Sequence, residues 1–248
     1  MHLNRRINVI VNLLLLVVFL CSFSDSQEIS ESRKQCKLSA DQEDMKAQST
    51  YALMCYNGEG GPKDLEEARK YCRLSAGQGF ALAQYNNAWM CFSGEGGLQN
   101  LEEAREYYKL SADQGIKESQ IGYASMCYSG SGGSQDFDEA RKYYKLSVDQ
   151  GYSLAQYNYA LMLCEGKGGP QDLKEGRRYY KLSADQGFGE SQSSYSSMCY
   201  NGEGGPKDLK EGRKYCKLSA DQGLERDQFN YALMCDNAEG DRKDLKEA

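Results

Sequence analysis

Apolar and small residues recur along this chain with a period of 36. Leu-Ser-Ala appears at Leu38, Leu74, Leu110, Leu182 and Leu218, and Leu-Ser-Val at Leu146 keeps the same register. Tyr51, Tyr123, Tyr159 and Tyr231 are each followed by Ala and then by Met. Met54, Met90, Met126, Met162, Met198 and Met234 hold one phase throughout. Self-similarity at such a period predicts a stack of like units, each burying its apolar face against its neighbours. Within a unit the spacing predicts two helices. The first, such as Ala83 to Phe92, is followed by a glycine-rich turn, Ser93 to Gly97, and the second, Leu101 to Gln114, ends at Gly115. Ala52, Ala88, Ala124 and Ala160 on the first helices, and Ala68, Ala104 and Ala140 on the second, let the helices cross closely. Tyr71, Leu74 and their equivalents, at helical intervals, are expected to complete the core stripe. The fold class is all-α, an α/α solenoid of helical hairpins.

The second helix carries its own start and stop signals. Asp64 with Glu67, Asn100 with Glu103, Asp136 with Glu139, Asp172 with Glu175, Asp208 with Glu211 and Asp244 with Glu247 form capping boxes, in which the N-cap side chain and the Glu three residues on satisfy orphan backbone donors. Gly79, Gly115, Gly151, Gly187 and Gly223 supply the left-handed residue that ends it. The Gly-x-Gly-Gly between the helices, as at Gly58 to Gly61, is a connector and not a phosphate loop, because no strand precedes it and no Lys-Ser/Thr pair follows.

The chain resembles the Sel-one-like repeats (SLR), helical hairpins of the tetratricopeptide superfamily. The resemblance is carried by Ala83-Gln84 and Ala155-Gln156, the small residue at Ala52, Asn-Gly-Glu-Gly at Asn57 and Asn201, Pro-Lys-Asp at Pro62 and Pro206, and Tyr-Tyr-Lys-Leu-Ser-Ala-Asp-Gln-Gly at Tyr107 and Tyr179. It implies a right-handed solenoid with an inner concave face and an adaptor or scaffold role. In this phase residues 25–43 are a single capping helix, and five full repeats follow at 44–79, 80–115, 116–151, 152–187 and 188–223. An incomplete sixth covers 224–248. That sixth repeat stops inside its second helix, so the array is expected to be a fragment or to continue into a partner.

Composition adds a compartment. Met1 to Arg6 carries two Arg, Ile7 to Phe23 is almost wholly apolar, and Ser22 and Ser24 stand at −3 and −1 of a cut after Ser24. Residues 1–24 therefore have the layout of a signal peptide, with an uncleaved signal anchor as the rival reading. Cleavage places the protein in the secretory pathway, in the endoplasmic-reticulum (ER) lumen or secreted, while an anchor ties it to the membrane. Without this segment the net charge of −6 becomes about −8. So acidic an array, with Lys and Arg interleaved among Glu and Asp, is no partner for nucleic acid.

Candidate chemistry is sparse. The single histidine, His2, lies in the leader, and Ser-x-x-Lys, Gly-x-Ser-x-Gly and Cys-x-x-Cys motifs are missing. Cysteine-rich secreted relatives have been linked to penicillin binding or hydrolysis, yet this chain offers no serine motif for it. No catalytic, cofactor-binding or metal-binding residue is assigned. Removing the leader takes Cys21 and leaves Cys36, Cys55, Cys72, Cys91, Cys127, Cys164, Cys199, Cys216 and Cys235. Disulfides, metal ligands and buried packing are the three readings. Spacings of 17 and 19 residues put regular pairs beyond the Cα separation of about 7 Å that a disulfide spans. Cys72 and Cys216 stand where sister repeats have Tyr108, Tyr144 and Tyr180, and Leu163 replaces the cysteine of the first helix. Such interchange points to buried apolar positions.

Against this fixed framework a set of first-helix positions varies: Tyr85, Trp89 and Phe92 in the second repeat, Tyr157 and Leu161 in the fourth, and Tyr56, Tyr128 and Tyr200 at the loop end of others. These are the candidate concave face for a protein or peptide partner, or alternatively inter-repeat packing. Gln48, Gln84, Gln120, Gln156, Gln192 and Gln228 form an invariant row, read as an interhelical bond or a ligand ladder. Glu66, Glu67, Arg69 and Lys70 mark a solvated outer face. The expected function is a non-enzymatic scaffold of the secretory pathway, by resemblance an adaptor in ER protein quality control. The alternative is a secreted effector that binds other cells' proteins.

Overall fold

The structure is a computed structural model and describes residues 27–236. The segment assigned as leader or anchor, His2, and the last capping box at Asp244 and Glu247 lie outside the described residues. Every regular element among the described residues is a helix, and each packs on its neighbours in sequence within its unit. This is the all-α solenoid of 36-residue hairpins that the periodicity predicts. The chain divides after Gln114. The N-terminal unit holds α1 (27–41), α2 (Met45–Asn57), α3 (Leu65–Gly77), α4 (Ala81–Ser93) and α5 (Leu101–Asp113). The C-terminal unit holds α6 (Lys117–Ser129), α7 (Phe137–Asp149), α8 (Ser153–Glu165), α9 (Leu173–Asp185), α10 (Gly189–Asn201), α11 (Leu209–Asp221) and α12 (Glu225–Asp236).

Helices cross over their small residues. Ala52, Ala68, Ala88 and Ala104 in one unit, and Ala124, Ala140 and Ala160 in the other, are fully buried. On the second helices the buried stripe is Ala68, Tyr71, Cys72, Ser75 and Ala76 in α3, with the same phase in the others. Leu74 is not part of it. Leu38, Leu74, Leu110, Leu146, Leu182 and Leu218 all stay between 39% and 57% exposed, which corrects their assignment to the core. The position belongs to the serine that follows. Ser75 Oγ donates to Met45 O at 2.6 Å, Ser111 to Ala81 O at 2.8 Å and Ser183 to Ser153 O at 2.8 Å. Each satisfies a carbonyl in the first turn of the partner helix, so a buried polar residue carries no desolvation penalty.

The N-caps form as expected, since the backbone N–H groups of Glu67, Glu103, Glu139, Glu175 and Glu211 donate to the Asx side chains. The reciprocal half of the capping box does not. The N–H of Asp64 donates to Cys55 O at 2.9 Å, and that of Asp208 to Cys199 O at 2.9 Å, so the cap residue is tied to the preceding helix. The freed carboxylate serves the neighbouring repeat: Lys37 Nζ reaches Glu67 at 2.7 Å, Arg73 Nε reaches Glu103 at 3.2 Å and Lys181 Nζ reaches Glu211 at 3.3 Å.

A second correction concerns the outer face. Arg69 is half-buried and reaches into the next repeat, where Nη1 donates to Leu98 O at 2.9 Å and Nη2 to Cys91 Sγ at 3.2 Å. Arg33 repeats this on Glu59 O, Pro62 O and Cys55 Sγ, as Arg177 does on Glu203 O, Pro206 O and Cys199 Sγ. These arginines are clamps on the glycine-rich loops. The loops need glycine because they touch the clamping helix: a Cβ on Gly96 would lie 2.1 Å from Leu65 O.

The glutamine row is interhelical bonding. Gln48, Gln84, Gln120, Gln156 and Gln192 are buried. Gln48 Nε2 donates to Ala40 O and its Oε1 accepts from Gln78 at 2.8 Å, and Gln192 does the same with Ala184 O and Gln222. The Gln of the Asp-Gln-Gly helix ends, to which no role attaches in the sequence, is thus the second rung of each pair.

Candidate functional site

In the N-terminal unit α2, α3 and α4 line an open cavity of about 210 Å³, formed by Ala52, Leu53, Tyr56, Cys72, Tyr85, Asn86, Trp89 and Met90. Three predicted surface residues therefore meet here: Tyr56 from α2, and Tyr85 and Trp89 one turn apart on α4. Phe92 is 38% exposed and lies beside Trp89, ring centroids 6.4 Å apart, without lining the cavity. Trp89 and Leu53 are 45% and 50% exposed and form the rim. The helix register explains the arrangement: Ala52 and Met90 point inward with the stacking rows, which leaves positions one residue away at the mouth.

The polar ends of the aromatic rings are already engaged. Tyr56 Oη donates to Glu95 Oε2 at 2.9 Å, and this bond, with burial, raises the phenol above its ordinary pKa. Lys63 Nζ lies 4.9 Å from the Tyr56 ring centroid. At the floor, burial pushes the Cys72 thiol up to about 12, so at neutral pH it is an apolar wall and not a nucleophile.

The predicted residues of the C-terminal unit divide differently. Tyr128 is absorbed by its surroundings: its hydroxyl meets Glu165 at 3.1 Å and Lys167 at 2.6 Å, and its ring packs on Phe137 at 5.3 Å. Tyr157 lies between Tyr180 and Phe188, at 5.7 and 5.3 Å. Leu161 is half-buried. Tyr200 lines a second cavity of about 380 Å³ with Ser196, Ser197, Cys216, Arg226, Asp227, Leu233 and others. Leu53, Asn86 and Cys72 were missed as site residues. The one signal for them was the exchange of Tyr for Cys at position 72, which marks where a large side chain is missing.

The nine described cysteines are all free thiols, and no group of three or more metal-capable side chains occurs among the described residues. Cys55, Cys72, Cys91, Cys127, Cys199 and Cys216 are buried, Cys36 and Cys164 half-buried, and Cys235 exposed. Thiol labelling of folded residues 25–248 at pH 8 is therefore expected to give one fast site, two slower ones and six that react only on unfolding. Fast labelling of Cys72 would contradict its burial.

The Sel1 repeat family profile matches residues 46–80, 81–116, 117–152, 153–188 and 189–224. The chain belongs to the Sel1 repeat family. Sel1 repeat proteins generally mediate protein–protein interaction as non-catalytic scaffolds. Among solved structures the chain is similar to c5321, a protective antigen of uropathogenic Escherichia coli strains with an SLR fold. The two share 28% identity and a TM-score of 0.80 over 84% of this chain. The match covers 44% of the antigen, so the chain spans less than half of that protein's length. A Sel1 repeat protein from Oxalobacter formigenes shares the fold at 23% identity and a TM-score of 0.75, over 86% of this chain and 85% of the other. Comparison with curated proteins gives no match.

Proposed function

We propose that this Sel1 repeat chain is a protein-binding scaffold of the secretory pathway, and that its partner docks on the first-helix surface around Tyr56, Tyr85 and Trp89. The observation that carries this reading is the cavity rimmed by half-exposed Leu53 and Trp89. The Met, Ala and Gln rows already serve the stacking, so these side chains are left with apolar area facing solvent, as hot spots of protein interfaces require. The compartment rests on the N-terminal sequence pattern. In the lumen the role is an adaptor in ER protein quality control, as the family resemblance implies; outside the cell it is an effector. No described helix is long and apolar enough to cross a membrane.

The test is capture of partners by residues 25–248, identification by mass spectrometry and repeat binding with each purified partner. Trp89→Ala is expected to weaken binding at least tenfold while the melting temperature moves by no more than about 2 °C, because the indole is 45% exposed. Luminal or extracellular partners support the compartment. Cytosolic partners only, or a large loss of stability with Trp89→Ala, would overturn the reading.

A further inference from the structure

Both cavities described above have the same cysteine in their wall. Leu53, Tyr56, Cys72 and Trp89 of the first correspond, 144 residues on, to Ser197, Tyr200, Cys216 and Leu233 of the second. In the intervening repeats the cysteine position is Tyr108, Tyr144 or Tyr180, and each of these rings is buried. Tyr180 packs on Tyr157 of the first helix of its own hairpin, and Tyr144 Oη meets Ser125 Oγ at 2.8 Å. Ser125 is the equivalent of Leu53. The phenol of a sister repeat thus occupies the space beside residue 53 that Cys72, with its short side chain, leaves open. The cavity has the place and scale of an absent aromatic ring.

We infer that the Cys72 cavity is the receptor for one phenylalanine side chain of the docked partner, an inference that rests on the scaffold reading above. No charged side chain lines this cavity, whereas Arg226 and Asp227 line the one at Cys216, so the complementary occupant is uncharged and apolar. Apolar cavities of about 150 Å³ take up benzene, and this open one offers about 210 Å³. Tyr56, Tyr85 and Trp89 present ring faces and edges to an incoming ring, which favours an aryl over an alkyl group. Leu53 stands where Ser125 meets the phenol of Tyr144, and the Tyr56 hydroxyl is turned to Glu95. A tyrosine on the partner would find only the Asn86 amide for its hydroxyl, where Tyr144 has Ser125, and a phenylalanine has no hydroxyl to desolvate.

The test uses the full chain with toluene as probe and p-cresol as its phenolic counterpart, in ligand-observed NMR titrations. Toluene is expected to bind saturably and more tightly than p-cresol. Cys72→Tyr, which installs the sister-repeat residue, is expected to weaken toluene at least tenfold with an unchanged or raised melting temperature. Cys216→Tyr leaves toluene binding as it was. Leu53→Ser, which needs no new packing, is expected to move the preference several-fold towards p-cresol. Toluene should also displace a partner captured by the scaffold experiment, and Phe→Ala in that partner should weaken binding to the wild type but not to Cys72→Tyr. Toluene binding that is missing, or indifferent to both Cys72→Tyr and Leu53→Ser, overturns the cavity assignment and leaves the scaffold reading standing. Toluene binding at Cys72 with no protein partner to displace overturns the phenylalanine assignment together with the scaffold reading.

Discussion

Asn87→Tyr is expected to stabilise the N-terminal unit by about 2 kcal/mol. Asn87 is wholly buried, and neither its Nδ2 nor its Oδ1 has a hydrogen-bond partner. Leaving buried polar atoms unpaired costs about 1–3 kcal/mol. Four other repeats place Tyr51, Tyr123, Tyr159 or Tyr195 here, each edge-on to a second-helix tyrosine with centroids 4.7 to 5.1 Å apart. Such a pair contributes about 0.5–1.5 kcal/mol beyond its buried area. In the second repeat its mate, Tyr107, lacks that contact, and Gly77 stands where Asp41 accepts from Tyr71 in the repeat before. The substitution removes the unpaired amide and restores the ring pair. Hydrogen exchange of the α4 and α5 amides reads the effect locally, with an expected slowing of about 30-fold, 1.36 kcal/mol being a factor of ten. No slowing, or faster exchange, would mean that the site does not accept the ring.

Gly204→Ala is expected to cost about 3 kcal/mol or more in the C-terminal unit. Gly204 has φ +66°, and an added Cβ would lie 2.1 Å from Leu173 O and 2.7 Å from its carbonyl carbon. Positive φ alone costs a non-glycine residue about 1–2 kcal/mol. The clash is with helix backbone, so it is relieved only by lifting the loop off α9, which breaks the Arg177 bonds to Glu203 O at 3.1 Å and Pro206 O at 3.0 Å. Gly223→Ala is the internal control: φ is +94° but no atom lies within 4 Å, so only the backbone strain of about 1–2 kcal/mol remains. Urea midpoints at unchanged slope measure both. Equal losses at the two glycines would refute the close-approach argument.

The hairpin, its caps and its crossing residues were legible because they depend on local spacing. Helix α4 begins and ends within two residues of the predicted span, and α5 starts on the predicted Leu101. What was misread concerns polar side chains that act at long range. Leu74 looked like core because residue type was taken for burial. In the fold Ser75 is inside, since a carbonyl some thirty residues earlier in the chain accepts its proton. Arg69 looked solvated for the same reason: its partners, Leu98 O and Cys91 Sγ, belong to the next repeat. For the candidate site, the aromatic positions on α2 and α4 could be picked out as variable. Which of them converge on one space depends on the volume missing at Cys72, a residue on a third helix. Tyr128 and Tyr157, chosen by the same rule, find partners in Glu165, Lys167, Tyr180 and Phe188 that a single helix face does not reveal.

The arginine clamp has a direction. Arg33, Arg69, Arg141, Arg177 and Arg213 each hold a group 22 to 29 residues further along the chain. A ribosome releases each of these arginines before the group that it will grip, so the hairpins that they hold emerge onto a finished template. The same asymmetry makes the two ends of an array unequal. A repeat removed from the front leaves the next loop without its guanidinium, whereas one removed from the back leaves every remaining loop still held.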